Sequence, residues 1–257
     1  LLILAGATAC KKDSNDQTGE VSSTVQRAAT YSLVFTEDFN GTALDTARWS
    51  IVEGNENVNN ELQTYAASAV KAGNGIARLS ATLQSANGRQ YTSGKITTKN
   101  KFQIQYGRIE ARISVPVLNG LAASFLLNGV DATPAQSAEI DILQHVNREN
   151  KVDGGIRWFN EGGANFFNSA ITSTSPGDFH LYAVEWDQKQ IRWFADGIQY
   201  GVANIENNVN STEEFHKPFF IDLKLAVGGA LTGPVAIGTL PAGITVDYIK
   251  VFKLSAP

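Results

Sequence analysis

The sequence predicts an all-β sandwich, and three observations carry the prediction. Apolar residues recur with a period of two from Tyr31 onward, helical spacing is short or absent, and 23 glycines suit a chain with many turns. More than ten short strands without intervening helices must cover their apolar sides by packing sheet on sheet. No internal repeat of fixed period is present, which disfavours a propeller or a solenoid. At 257 residues the chain is long enough for a sizeable core, as one large domain or two small ones.

In chain order, residues 1–9 are apolar and small, like the end of a secretory signal that lacks its initiator Met and basic head. Cys10 follows directly, where bacterial lipoprotein signals place the lipidated cysteine, although Ala7 stands where such signals usually carry Leu. The alternative is a stray cysteine within a signal. Residues 11–29 are polar and lack aromatics, so they read as a disordered tether ahead of a single domain over 30–257. Strands are expected at 33–36, 76–83, 93–98 and 102–105. Next, Ile109, Ala111, Ile113 and Val115 point one way while Arg108, Glu110, Arg112 and Ser114 point the other. Further strands are expected at 139–144, 154–159 and 180–186. A hairpin follows, turning on Asp196-Gly197, a pair suited to the positive φ that tight turns require. Phe219, Ile221, Leu223, Leu225 and Val227 form one face of the next strand, with Asp222 and Lys224 on the other, and a last strand covers 245–253. Trp49, Trp186 and Trp193 are assigned to packing.

Composition removes several function classes. The 21 basic and 25 acidic residues give a net charge of −4, and Lys11-Lys12 is the only basic cluster, so nucleic acid is not an expected partner. The single cysteine excludes an internal disulfide or a CxxC zinc site, and His145, His180 and His216 are too widely spaced for a helical ligand pair. No run of 18 apolar residues exists to form a membrane-spanning helix. Gly88 to Gly94-Lys95 imitates a phosphate loop but has five residues between its glycines and Ile96 in place of Ser or Thr. There is no GxSxG nucleophile elbow.

What remains is Glu139-Ile140-Asp141-Ile142-Leu143-Gln144-His145, an acidic pair inside an apolar strand. Glu139 and Asp141 share a face, and Gln144 joins them only if a one-residue bulge intervenes. Taken alone, the pair also fits the exposed face of an ordinary strand.

The strand resembles the E-I-D-x-x-E strand of glycoside hydrolase family 16, which includes laminarinases and mixed-linkage β-glucanases. Resemblance extends in order through VFTEDFNG at 34–41, NNELQTY at 59–65, SGKITTKNKFQIQYGRIEARISVP at 93–116 and FHLYAVEWDQKQIRWFADGIQY at 179–200. It continues in KPFFIDLKLAVGG at 217–229 and VDYIKVFK at 246–253. It implies a β-jelly-roll whose concave sheet binds a β-glucan chain. It also implies that Glu139 is the nucleophile, that Asp141 orients and tunes it, and that Gln144 occupies the acid/base position. Retaining hydrolysis needs two carboxyl groups about 5–5.5 Å apart. An amide has no titratable proton, so the acid/base role falls vacant. His145 alternates to the other face and Glu149 lies beyond the strand, so neither replaces it.

Tryptophans common in the family are missing at 120–126, 133–138 and 230–233, which weakens the expected sugar grip. Asn60 and Glu61 match the segment flanking the cleft and are read as substrate-binding or as loop-stabilising. Trp158 is read as a sugar platform or a core residue. Lys95, Arg157 and Lys224 would meet an anionic glycan. Asp38 and Asp247 fall in regions where some members hold a structural calcium, though two carboxylates fall short of the 6–8 oxygens a cage needs. No cofactor is required. The expected partners are β-glucan or a related polysaccharide and, through a lipid anchor, an outer-membrane surface. The expectation is an exported bacterial protein, monomeric, at the cell surface or in the periplasm.

Overall fold

The computed structural model describes residues 31–254, apart from 57, 131–137, 173–174, 237 and 239. The chain begins with β1 (Tyr31–Glu37), β2 (Ser50–Ile51), β3 (Gln63–Tyr65), β4 (Val70–Gly73), β5 (Ile76–Ala81) and β6 (Tyr91–Ser93). It continues through β7 (Lys95–Thr97), β8 (Gly107–Ser114), β9 (Leu121–Gly129), β10 (Glu139–Val146), β11 (Lys151–Asn160) and β12 (Gly163–Thr172). It ends with β13 (His180–Trp186), β14 (Gln190–Ala195), β15 (Ile198–Asn204), β16 (Phe219–Val227) and β17 (Ala242–Leu254). One antiparallel sheet has the order β15-β14-β13-β8-β17-β5-β4, with β1 also paired to β17; the other runs β12-β11-β10-β9-β16-β7-β2. A small parallel pair, β3 with β6, completes the pairing.

The predicted alternation explains how the sheets pack. On β8, Ile109, Ala111 and Ile113 are fully buried, and each large aliphatic side chain so buried contributes about 1.5–3 kcal/mol. On its outer face Arg108 bridges Glu110 at 2.8 Å and Glu185 on β13 at 3.0 Å. On β16 the row from Phe219 to Val227 is fully buried, as expected, but Asp222 and Phe220 on the opposite face are covered as well. Lys224 alone stays partly open on that strand. Trp49, Trp186 and Trp193 all lie in the core, where Trp186 meets Phe219 edge-on and Trp193 lies against Phe167. Asp196 and Gly197 both take positive φ, forming the expected turn between β14 and β15.

Close approach fixes one glycine. A Cβ on Gly154 would stand 2.4 Å from Trp193 Cδ1 and 2.5 Å from the Tyr200 hydroxyl, so only glycine lets β11 settle on that pair.

Two expectations are corrected. Residues 102–105 are not a strand: the Thr98 carbonyl accepts the amides of Lys101 and Phe102, turning the chain, and Ile104 makes only an isolated bridge to Phe219. Trp158 is a core residue and not a sugar platform, since it is 6% exposed, meets Phe215 edge-on and donates its indole N–H to the Asn210 carbonyl at 2.9 Å. Asp38 and Asp247, where a calcium was expected, each meet another protein group. Asp247 accepts from Arg112 at 2.7 Å, Asp38 accepts from the Thr36 hydroxyl at 3.2 Å, and no group of three metal-ligating side chains occurs among the described residues. The signal-like segment, Cys10 and the tether over 11–29 lie outside the described residues.

Candidate active site

The site is organised by a slip in the pairing of β10. Glu139 pairs with Asn128 on β9 and Arg157 on β11, and Asp141 pairs with Leu126 and Gly155. Beyond Asp141 the register shifts, so that Leu143 meets Phe125 while Gln144 meets Ser124 and Asp153. Two residues of β10 thus stand against one of β9, which is the bulge that the sequence requires. Its consequence is that Ile142 and Leu143 are both buried, and His145 also turns inward. Glu139, Asp141 and Gln144 are left together on the opposite face, lining a cleft of about 350 Å³. The indole N–H of Trp193 donates to the Asp141 carbonyl at 2.7 Å, tying the bulge to the other sheet.

Charge is distributed unevenly over the cleft floor. Arg157 Nη2 lies 3.3 Å from Glu139 Oε2, which holds that carboxylate in one orientation. Burial pushes the Asp141 carboxyl up to about 8, reinforced by Glu139 and opposed by Lys224 and Arg157. Its Oδ1 is buried with no hydrogen-bond partner among the described residues. Asp222 is also pushed up by burial, with Lys95 opposing, and accepts from Asn128 Nδ2 at 3.0 Å.

The expected binding residues divide. Arg157, Lys224 and Glu61 line the cleft. Glu61 is 5% exposed, and its Oε2 accepts from Gln63 Nε2 at 2.7 Å while Gln63 Oε1 takes the Val227 amide at 2.8 Å. Asn60 does not line the cleft, and its neighbour Asn59 does, its carbonyl accepting the Ala230 amide at 2.7 Å. Lys95 is withdrawn as well: its ammonium lies 2.7 Å from Glu56 and 3.4 Å from Asp222, beside and not within the cleft. Lys224 has no carboxylate within ion-pair distance among the described residues, so it alone remains of the three cations expected to meet an anion.

Alternation along β12 supplies groups that the sequence reading passes over. Phe167, Ser169 and Ile171 face inward, while Phe166 and Asn168 face out and line the cleft. Phe166 is 61% exposed, opposite Arg157, and Val58 and Leu231 add exposed apolar surface to the same cleft. An aromatic face for stacking therefore survives the loss of tryptophans, and ANFFNSAI at 164–171 has no alternation of apolar and polar types that would have marked it.

The arrangement places a carboxyl whose hold on its proton burial strengthens, an arginine-held carboxylate and an amide on one face of the cleft, beside an exposed phenylalanine. Solved and curated proteins match it over most of its length. Glucan endo-1,3-beta-glucosidase A1 of Niallia circulans is 33% identical over 259 residues, covering 86% of this chain and 38% of that protein. The clotting factor G alpha subunit of Tachypleus tridentatus is 32% identical over 232 residues, covering 87% of this chain and 34% of that protein. The chain thus spans little more than a third of these two relatives. The X-ray structure of the laminarinase from Rhodothermus marinus superposes with a TM-score of 0.80 at 28% identity, covering 90% of this chain and 100% of that one. The profile of glycosyl hydrolases family 16 matches residues 48–249, a span that includes most strands of both sheets and the bulged strand, and the chain belongs to that family.

Proposed function

We propose that this chain acts on β-glucan of β-1,3 or mixed β-1,3-1,4 linkage as a retaining endo-hydrolase, with turnover slowed by Gln144. The observation that carries the reading is the bulge in β10, which turns Glu139, Asp141 and Gln144 into one cleft. Glu139, oriented by Arg157, attacks the anomeric carbon, while Phe166 offers an aromatic face to a pyranose ring. The names of relatives, a glucan endo-1,3-beta-glucosidase and a laminarinase, support the choice of linkage. Gln144 hydrogen-bonds a leaving oxygen but has no proton to give it.

The test compares the natural chain with Gln144→Glu on β-1,3-glucan and mixed-linkage glucan. General acid/base assistance is worth about 10²–10⁴ in rate, roughly 3–5 kcal/mol of barrier, which sets the ceiling of the gain expected from the substituted protein. Brisk hydrolysis by the natural chain, unimproved by the substitution, would contradict this account of Gln144.

A second reading is a carbohydrate-binding surface lipoprotein without turnover. It is favoured by the same amide and by the exposed Phe166, Val58 and Leu231 at the cleft. Calorimetric binding of oligosaccharide, with no release of reducing ends even from activated glycosides, selects it. Export and anchoring through Cys10 rest on the small-residue run before it, and incorporation of labelled palmitate is their test.

A further inference from the structure

We infer that Asp141 delivers the proton to the departing sugar oxygen in this chain, doing from the middle of the row what Gln144 cannot do from its end. The inference rests on the retaining reading above, in which Glu139 is the nucleophile. Asp141 sits between Glu139 and Gln144 on the cleft side of β10, two residues from the nucleophile and therefore about 6.6 Å along the strand. Both groups therefore stand on the cleft face of one strand, where retention requires two carboxyls about 5–5.5 Å apart.

The other ionisable groups nearby are engaged or turned away. His145 is on the core face, its ring nitrogen against the Glu149 carbonyl at 3.0 Å. Glu149 and Asp153 both contact Lys151, at 3.3 and 3.2 Å. Glu61 accepts from Gln63. Asp141 Oδ1 has no such partner. A buried carboxylate oxygen with no donor is costly as an anion and tolerable as an acid. The charged and titratable groups around it are Glu139 on its own strand, Arg157 and Asp153 on β11, Lys224 on β16, and Tyr200 on β15. Burial and Glu139 outweigh Lys224 and Arg157, so the carboxyl keeps its proton up to about pH 8. Two carboxyls side by side in unlike environments are the arrangement that separates an acid from a nucleophile.

The step balances. A Glu139 oxygen forms a bond to the anomeric carbon as the glycosidic C–O bond breaks. Its electron pair goes to the leaving oxygen, which takes the Asp141 proton. The Asp141 carboxylate then accepts a proton from the water that displaces Glu139, and both carboxyls return to their starting states.

The experiment uses the natural chain and Asp141→Asn with β-1,3-glucan and with a dinitrophenyl β-glucoside, whose leaving group needs no proton. In the natural chain, glucan hydrolysis is expected to fall as pH rises through about 8, while dinitrophenolate release does not. Asp141→Asn is expected to lose about 10²-fold or more on glucan, to keep a burst of dinitrophenolate, and to form glycosyl azide when azide is added. Equal loss on both substrates without azide product would mean that Asp141 only positions Glu139, and the inference falls. Dinitrophenolate release without glucan hydrolysis by the natural chain overturns the Asp141 role alone. No release from either substrate overturns the retaining reading with it. The pH profile of the natural chain decides the matter even if the variant folds poorly.

Discussion

One atom separates Gln144 from a glutamate, and that atom decides whether this residue can give a proton to a leaving oxygen. The amide keeps the shape of a carboxyl and its place opposite Ser124 and Asp153, so Gln144→Glu should fold unchanged. The expected gain in glucan turnover, at most about 10²–10⁴, therefore reads chemistry and not repacking. Glu139→Ala should remove dinitrophenolate release altogether while sparing oligosaccharide binding, since Phe166 and Asn168 line the cleft independently of it. At this scale the sequence was informative about Glu139, Asp141 and Gln144 because a strand's alternation is local. It left Trp158 open between platform and core, and it was misleading about Lys95. Whether an indole lies under a sheet or over it, and whether an ammonium meets Glu56, depends on segments distant in the chain.

Among the elements, β10 owes its function to its bulge, and the bulge is held from outside. Trp193 donates to the Asp141 carbonyl from the opposing sheet, and Gly154 leaves room for its ring. Trp193→Phe leaves that carbonyl without its donor, at an expected cost of about 1–3 kcal/mol in urea unfolding, and should lower turnover as Asp141 shifts. Gly154→Ala should cost about 1–3 kcal/mol by overpacking against Trp193 and Tyr200, read as a lower melting temperature. Strands with one clean apolar face, such as β8 and β16, were legible from periodicity. β9 was not, because Leu121 to Leu127 is covered on both faces and carries no alternation. Residues 102–105 show the reverse error, a short alternating run that the turn at Thr98 prevents from pairing.

The whole molecule carries the cost of keeping Asp141 protonated. Its native carboxyl holds a proton to about pH 8, whereas an unfolded aspartate releases it near 3.9. Between those values the native state binds more protons, so unfolding free energy falls as pH rises. His180 works in the same direction over a narrower window. Burial pulls it down, but its hydrogen bonds to Asp196 and the Ser175 carbonyl outweigh that and leave it raised. Its stabilisation is present below about 6.5 and lost as pH passes its raised native value. Melting temperature should therefore decline from pH 5 to pH 8. In Asp141→Asn the decline should be shallower, and the variant should gain most on the natural chain at the alkaline end.

The sequence by itself determined the sandwich, the position of most strands and the need for a bulge if Gln144 is to join Glu139 and Asp141, because period and spacing are properties of neighbouring residues. Only the tertiary structure decided which face of each strand meets solvent when both are apolar and which cations are already matched by distant carboxylates. It also decided that burial raises the pKa of Asp141. Those outcomes depend on what packs against a side chain from the other sheet, and sequence distance does not record that.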